Sequence, residues 1–291
     1  MKRVIVLCIV FSFCFLSSCF ALEWKKMHEQ ADKASLQEVL DFEKKDPGSA
    51  DGLYRLGLVY LNLHKDKDAE NVFGRMLSID PGSPEAKWGL AEVLRRQHEL
   101  SESEKLLKEV IKLQPNFPPA LVTLAYIKYT KLELNEAVRL ASKVINLGLD
   151  NVDLSNFVRA YLIYGGTKGL IAHRGGPLSK VFNGTVVLSY LRKAESLQPD
   201  SAGVLLGMGS FYLLAPTIAG GDLEKAQVYL NKAIAADPLL ADAYARRAQL
   251  YRFKGDNKKY EEYLNKAQDI DPGSELAIDI KSGECKFVCA R

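Results

Sequence analysis

Six of the 11 prolines punctuate the chain in a ladder, at Pro47, Pro81, Pro115, Pro199, Pro238 and Pro272, each preceded by an acidic or polar residue at the end of an apolar-patterned segment. Three of the gaps, 47 to 81, 81 to 115 and 238 to 272, are 34 residues long, and a vacant rung falls at Leu149, 34 beyond Pro115. A fixed period of this length is the signature of stacked supersecondary units, because one unit of 34 residues cannot bury its own apolar face and needs a neighbour. The period predicts helices that end before each proline, which lacks an N–H and clashes with the preceding turn.

The window from Ala50 to Ser83 reads ADGLYRLGLVYLNLHKDKDAENVFGRMLSIDPGS. Leu53, Leu56 and Tyr60 share one helical stripe, Gly57 and Ala69 are small where paired helices approach, and Phe73 fills the space toward the next pair. These spacings resemble the tetratricopeptide repeat. The resemblance implies an all-α fold, a right-handed solenoid of antiparallel helix pairs with one concave and one convex surface. Further windows carry the pattern: Leu90, Ala91, Leu94, Ser103, Leu107 and Val110; Leu121, Leu124, Ala125, Ala137, Ala141 and Val144; Leu205, Met208, Gly209, Tyr212, Ala226, Leu230 and Ala233; Tyr244, Ala248, Tyr251, Leu264 and Ala267. The expected organisation is a leader over 1–21, a solenoid over 22–276 with a half repeat and about six repeats, and a tail over 277–291. Gln30 to Pro47 reads as the second helix of a repeat, capping the first full one.

The period is broken twice. Between Leu149 and Pro199 the repeat carries 16 surplus residues, and between Pro199 and Pro238 it carries five. The surplus stretches, near 165–185 and 215–222, are rich in glycine and read as loops between paired helices. Insertions at equivalent places in neighbouring repeats emerge on the same edge, so the two predict a composite partner site. Its candidate contacts are Lys168, His173, Arg174, Lys180, Phe182 and Asn183 with Thr217, while Asp222 reads as the N-cap of the helix that follows. The cations among them suit a small anionic ligand. Neither GGTKG nor its surroundings has the spacing of a phosphate-binding loop.

The concave groove is a second candidate site. In the family the sequence resembles, the second, fifth, ninth and twelfth positions of each first helix face it. Carried onto this chain, these are Asp51, Tyr54, Leu58 and Leu61, then Glu85, Trp88, Glu92 and Arg95, then Val122, Tyr126 and Tyr129, and finally Asp242, Gln249 and Arg252. Tyr54, Trp88, Tyr126 and Tyr129 would supply aromatic anchors of the kind that dominate protein-binding hot spots.

The first residues, MKR followed by the apolar run Val4 to Leu16, have the layout of a secretory signal. Two processing sites compete. Cys19-Phe20-Ala21 offers small residues for soluble cleavage, while Leu16-Ser17-Ser18-Cys19 resembles the lipobox of bacterial lipoproteins, which would acylate Cys19. An uncleaved anchor is the third reading. An exported chain meets oxidising conditions, so Cys285 and Cys289, in CKFVC, are expected to form a local disulfide. The four histidines, His28, His64, His98 and His173, stand singly, and no set of ligands for a metal or other cofactor is spaced along the chain.

A formal charge of +3, without a basic block, gives no electrostatic reason to expect nucleic acid. No nucleophile and base stand at a distinctive spacing, so a non-catalytic role is expected. The leading expectation is a periplasmic or outer-membrane scaffold that binds a protein or peptide in the cell envelope, with membrane attachment only through a lipid or an uncleaved leader. The alternative rests on Leu214 to Ala226, with APTIAGGDLEKA, which is similar to segments of repeat lipoproteins associated with substrate-binding TRAP transporters. That resemblance implies a ligand-binding accessory of a periplasmic transport system.

Overall fold

The computed structural model describes residues 24–288, and within them there are helices and no strands. A short helix, α1 (24–31), precedes α2 (Leu36–Lys45), α3 (Ala50–Asn62), α4 (Asp66–Ile79), α5 (Pro84–Arg96), α6 (Leu100–Leu113), α7 (Pro118–Thr130) and α8 (Leu134–Leu147). Then follow α9 (Leu154–Arg174), α10 (Pro177–Leu197), α11 (Ala202–Leu214), α12 (Leu223–Ala236), α13 (Ala241–Phe253), α14 (Asn257–Ile270) and α15 (Glu275–Ser282). The leader and Cys19 lie outside the described residues. The chain divides into two compact units, one running up to Thr123 with Asn146–Phe157, the other comprising Leu124–Ile145 and the residues from Val158.

The turn chemistry explains the period. After a second helix, Asp80 accepts a hydrogen bond from the Gly82 N–H at 2.8 Å, and Ser83 then caps α5 by accepting from Ala86. The same device recurs at the other end of the chain, where Asp271 accepts from Gly273 and Ser274 caps α15. Within four of the pairs the turn has one residue in the left-handed region: His64, His98 and Leu132, spaced by 34 residues, and Gly255 have positive φ. Two of the four histidines therefore mark a turn position, tolerated there at a conformational cost that glycine avoids.

Packing within the first unit turns on Phe73. A Cβ placed on Gly57 of α3 would lie 2.5 Å from its ring, and one on Gly89 of α5 2.4 Å. The phenyl group thus occupies the space that two glycines leave, and it is fully buried. On α6, Ser103 holds the small position and its hydroxyl donates to the Ala91 carbonyl at 2.6 Å. In the second unit the Gly209 backbone admits Leu230 in the same manner.

Two expectations need correction. The stretch near 165–185 is not a loop: α9 and α10 each run to 21 residues, and only Gly175 and Gly176 separate them. The glycines that suggested a loop lie inside α9, where a Cβ on Gly165 or Gly169 would make ordinary van der Waals contact with Leu191 or Val187 of α10, at 3.4 and 3.7 Å, and one on Gly166 would meet nothing within 4 Å. Helix interiors disfavour glycine by about 1 kcal/mol, a local preference weak enough for the helix to run through all three positions. Tyr164 and Tyr190 stack across this pair, ring centres 4.2 Å apart. The five surplus residues at 215–222 do form a turn, with a single 3-10 turn at Thr217–Ala219, and Asp222 caps α12 by accepting from Glu224 and Lys225. The second correction is at the C-terminus, where helix continues to Ser282 because Ser274 caps it and Ala277 and Ile280 pack against Tyr244, Ala248 and Leu264.

Candidate functional site: two surfaces that hold the chain's own segments

In the first unit, α1 lies across the first helices of successive repeats. Its buried residues Trp24, His28 and Ala31 recur at helical spacing. Trp24 meets the Phe117 ring edge-on at 5.2 Å, and the His28 ring lies 5.6 Å from that of Tyr54 and 5.2 Å from that of Trp88. His28 Nε2 shares a 2.7 Å hydrogen bond with the Tyr54 hydroxyl. At the rim, Lys25 Nζ donates to the carbonyls of Leu149 and Asp150, and Ser155 donates to Asp32. Beneath this layer, Trp88 Nε1 donates to Thr123 Oγ1 at 3.2 Å, and that hydroxyl donates to Glu92 at 2.9 Å. Arg95 grips the same carboxylate with two nitrogens, at 2.8 and 3.1 Å. Burial, with Glu85 and Asp153 adding, pushes the Tyr54 phenol well above its ordinary value, so it stays protonated.

The second unit does the same with the other end of the chain. Phe287 packs on Tyr129, ring centres 5.6 Å apart, and Tyr126 lies beside Tyr129 at 6.5 Å. Arg246 donates to the Phe287 carbonyl at 3.2 Å and Gln249 to that of Val288 at 3.0 Å. The Asp279 carboxylate accepts the N–H groups of Lys286 and Phe287 at 2.7 and 2.9 Å. Arg246 also donates to Gln249, which fixes both donors relative to one another.

Tyr54, Trp88 and Tyr129 therefore each meet another segment of the chain, and the expectation that Tyr54 and Trp88 are open anchors is corrected. Both are buried, at 2% and 3% exposure, under α1. The polar residues Arg246, Asp279 and Asn156 and the occupant residues Trp24 and His28 escaped the sequence reading. The i, i+4 pair Trp24 and His28 just ahead of the repeats was the available signal for the occupant.

The residues of the expected composite site are placed differently. Lys168 donates to Asn183 at 3.0 Å and lies over the Tyr164 ring, so these two residues join α9 to α10. Asn183 also donates to Ser179. Arg174 reaches the Lys286 carbonyl, while His173 and Lys180 are exposed. Phe182 is 72% exposed beside Leu178 and Val181, and Thr217 sits exposed in its turn. Lys168 and Arg174 are thus each engaged with protein groups. Cys285 is disulfide-bonded, and Cys289 lies outside the described residues. Among the described residues no cluster of metal-ligating side chains occurs.

Comparison with known proteins places this architecture. Residues 67–125 and 241–274 match models described as tetratricopeptide repeat. This chain is a tetratricopeptide-repeat protein. No curated protein matches it. Among solved structures, it is similar to a tetratricopeptide repeat protein from Parabacteroides merdae, at 14% identity over 90% of this chain and 98% of that one, with a TM-score of 0.53. It is also similar to a chain of the APC/C hetero-tetramer Cut9-Hcn1, at 16% identity over 88% of this chain and 47% of that one, with a TM-score of 0.55. At these identities the likeness is one of fold. PilF of Pseudomonas aeruginosa aligns over 80% of this chain and 96% of its own at 17% identity, with a TM-score of 0.46.

Proposed function

We propose that this tetratricopeptide-repeat protein is a non-catalytic scaffold that binds a protein or peptide partner through the inner-face side chains of its first helices. The supporting observation is that, in each unit, those side chains already hold a stretch of polypeptide: α1 against Tyr54 and Trp88, and residues 286–288 against Tyr129, Arg246 and Gln249. Aromatic rings flanked by fixed donors and acceptors are what a peptide-binding surface needs, because apolar contact supplies the energy and the polar groups satisfy the ligand's main chain. Export rests on the leader, and acylation of Cys19 would tether the scaffold to the bacterial envelope.

Site-directed photo-crosslinking in cells tests the binding reading. A crosslinking residue at Arg95 or Tyr126, on the inner faces, should give a discrete adduct with one partner protein. The same residue at Val228, an exposed position on a second helix, should give none. Adducts that are identical at all three positions, or confined to Val228, would defeat the proposal. Labelling with a radioactive fatty acid, comparing wild type with Cys19→Ser, tests the anchor.

A further inference from the structure

We propose that residues 286–288 are a tethered occupant of a peptide site in the second unit, and that a partner segment presenting an aromatic residue on a tight turn binds there by displacing them. The inference deepens the scaffold reading and rests on it. Four side-chain groups meet this tail, and they do so at its main chain. Arg246 and Gln249 donate to the carbonyls of Phe287 and Val288, Asp279 accepts from the N–H groups of Lys286 and Phe287, and Arg174 reaches the Lys286 carbonyl at 3.4 Å. Arg246, Gln249 and Asp279 are buried at 6%, 2% and 2% exposure.

Buried donors and acceptors are costly unless satisfied, and three of them aimed at one turn of backbone make a cradle that reads conformation rather than sequence. Selectivity enters at one point. Of residues 284–288, Phe287 alone is buried, and its ring rests on Tyr129. Glu284 and Lys286 pair with each other in solvent. Lys286 and Phe287 form a turn between Cys285 and Val288, both at positive φ, so the tail supplies what a tight turn with one aromatic side chain would supply. Its advantage over a free competitor is the tether, which gives it a high effective concentration, and a partner must exceed that to enter.

The test uses two variants of the full protein, one ending at Ser282 and one carrying Phe287→Ala, each checked for wild-type helicity by circular dichroism. The probe is a fluorescent peptide of residues 283–288 with blocked ends and Cys285→Ser. It should bind both variants, bind wild type at least tenfold more weakly, and lose at least tenfold in affinity for the variants when its own Phe287 is alanine. Folded variants that fail to bind the peptide at millimolar concentration would overturn the proposal, as would wild type binding it as well as the variants do. If neither variant keeps its helicity, the tail is a fixed part of the fold and the proposal fails. No partner is needed for these measurements, so a negative result removes the displacement and leaves partner binding to the crosslinking test.

Discussion

The imidazole of His28 and the phenol of Tyr54 share a 2.7 Å hydrogen bond inside an aromatic cluster, joining a helix that precedes the repeats to the first helix of the first full one. Asn156, itself oriented by Asp153, stands 3.5 Å from the other ring nitrogen. Both partners of the short bond are buried, so either one left alone would be desolvated without compensation.

Tyr54→Phe should therefore cost about 1–3 kcal/mol of stability and loosen α1 more than α3. Urea denaturation gives the first quantity, and amide hydrogen exchange resolved to residues 24–31 gives the second. Equal exchange in wild type and variant would show that the hydrogen bond does not hold α1 in place.

The glycines of the first unit separate into two kinds. Gly89→Ala drives a Cβ into the Phe73 ring and should destabilise by about 1–3 kcal/mol through overpacking. Gly74→Ala, in helix α4 with nothing within 4 Å of the new Cβ, should stabilise by about 0.5–1 kcal/mol. Thermal unfolding of the pair decides the matter, and a shift of the same sign in both would refute the packing account.

Thr123 links the indole of Trp88 to the carboxylate of Glu92. Thr123→Val keeps the shape but strands a buried N–H and removes a donor from a buried carboxylate, so a loss of about 1–3 kcal/mol is expected. Thr123→Ser should recover most of it. A serine variant as unstable as the valine one would assign the loss to the methyl group instead.

Burial pushes the Asp242 carboxyl up, against the downward pull of the Ser274 hydroxyl and Arg246. A folded-state value above the unfolded one, near 4, means the native state binds the proton more tightly. Asp242 thus contributes most stability below the unfolded value, and that contribution is lost as pH rises through the folded one. Asp242→Asn retains an acceptor for Ser274 and should lessen the fall in Tm between pH 4 and 7. Parallel Tm profiles would contradict this.

Much of the architecture is legible in the primary structure because each repeat is specified locally. The Asp-Pro-Gly-Ser turns, the small residues at Gly57 and Ser103, and Phe73 between them act within or between adjacent helices, so a 34-residue pattern suffices to assign them. Glycine at 165–169 misled for the same reason: its local meaning is a turn, but that preference is weak, and the pairing of α9 with α10 carries the helix through it. What covers Tyr54, Trp88 and Tyr129 depends on tertiary structure. Trp24 and Phe117 are separated by 93 positions, and Arg246 and Phe287 by 41, and no periodicity relates them. The helices, their turns and their period were determined by the sequence alone; what lies against Tyr54, Trp88 and Tyr129 was decided by the path of residues 24–31 and 286–288, because their burial depends on surfaces that exist only once the repeats have stacked.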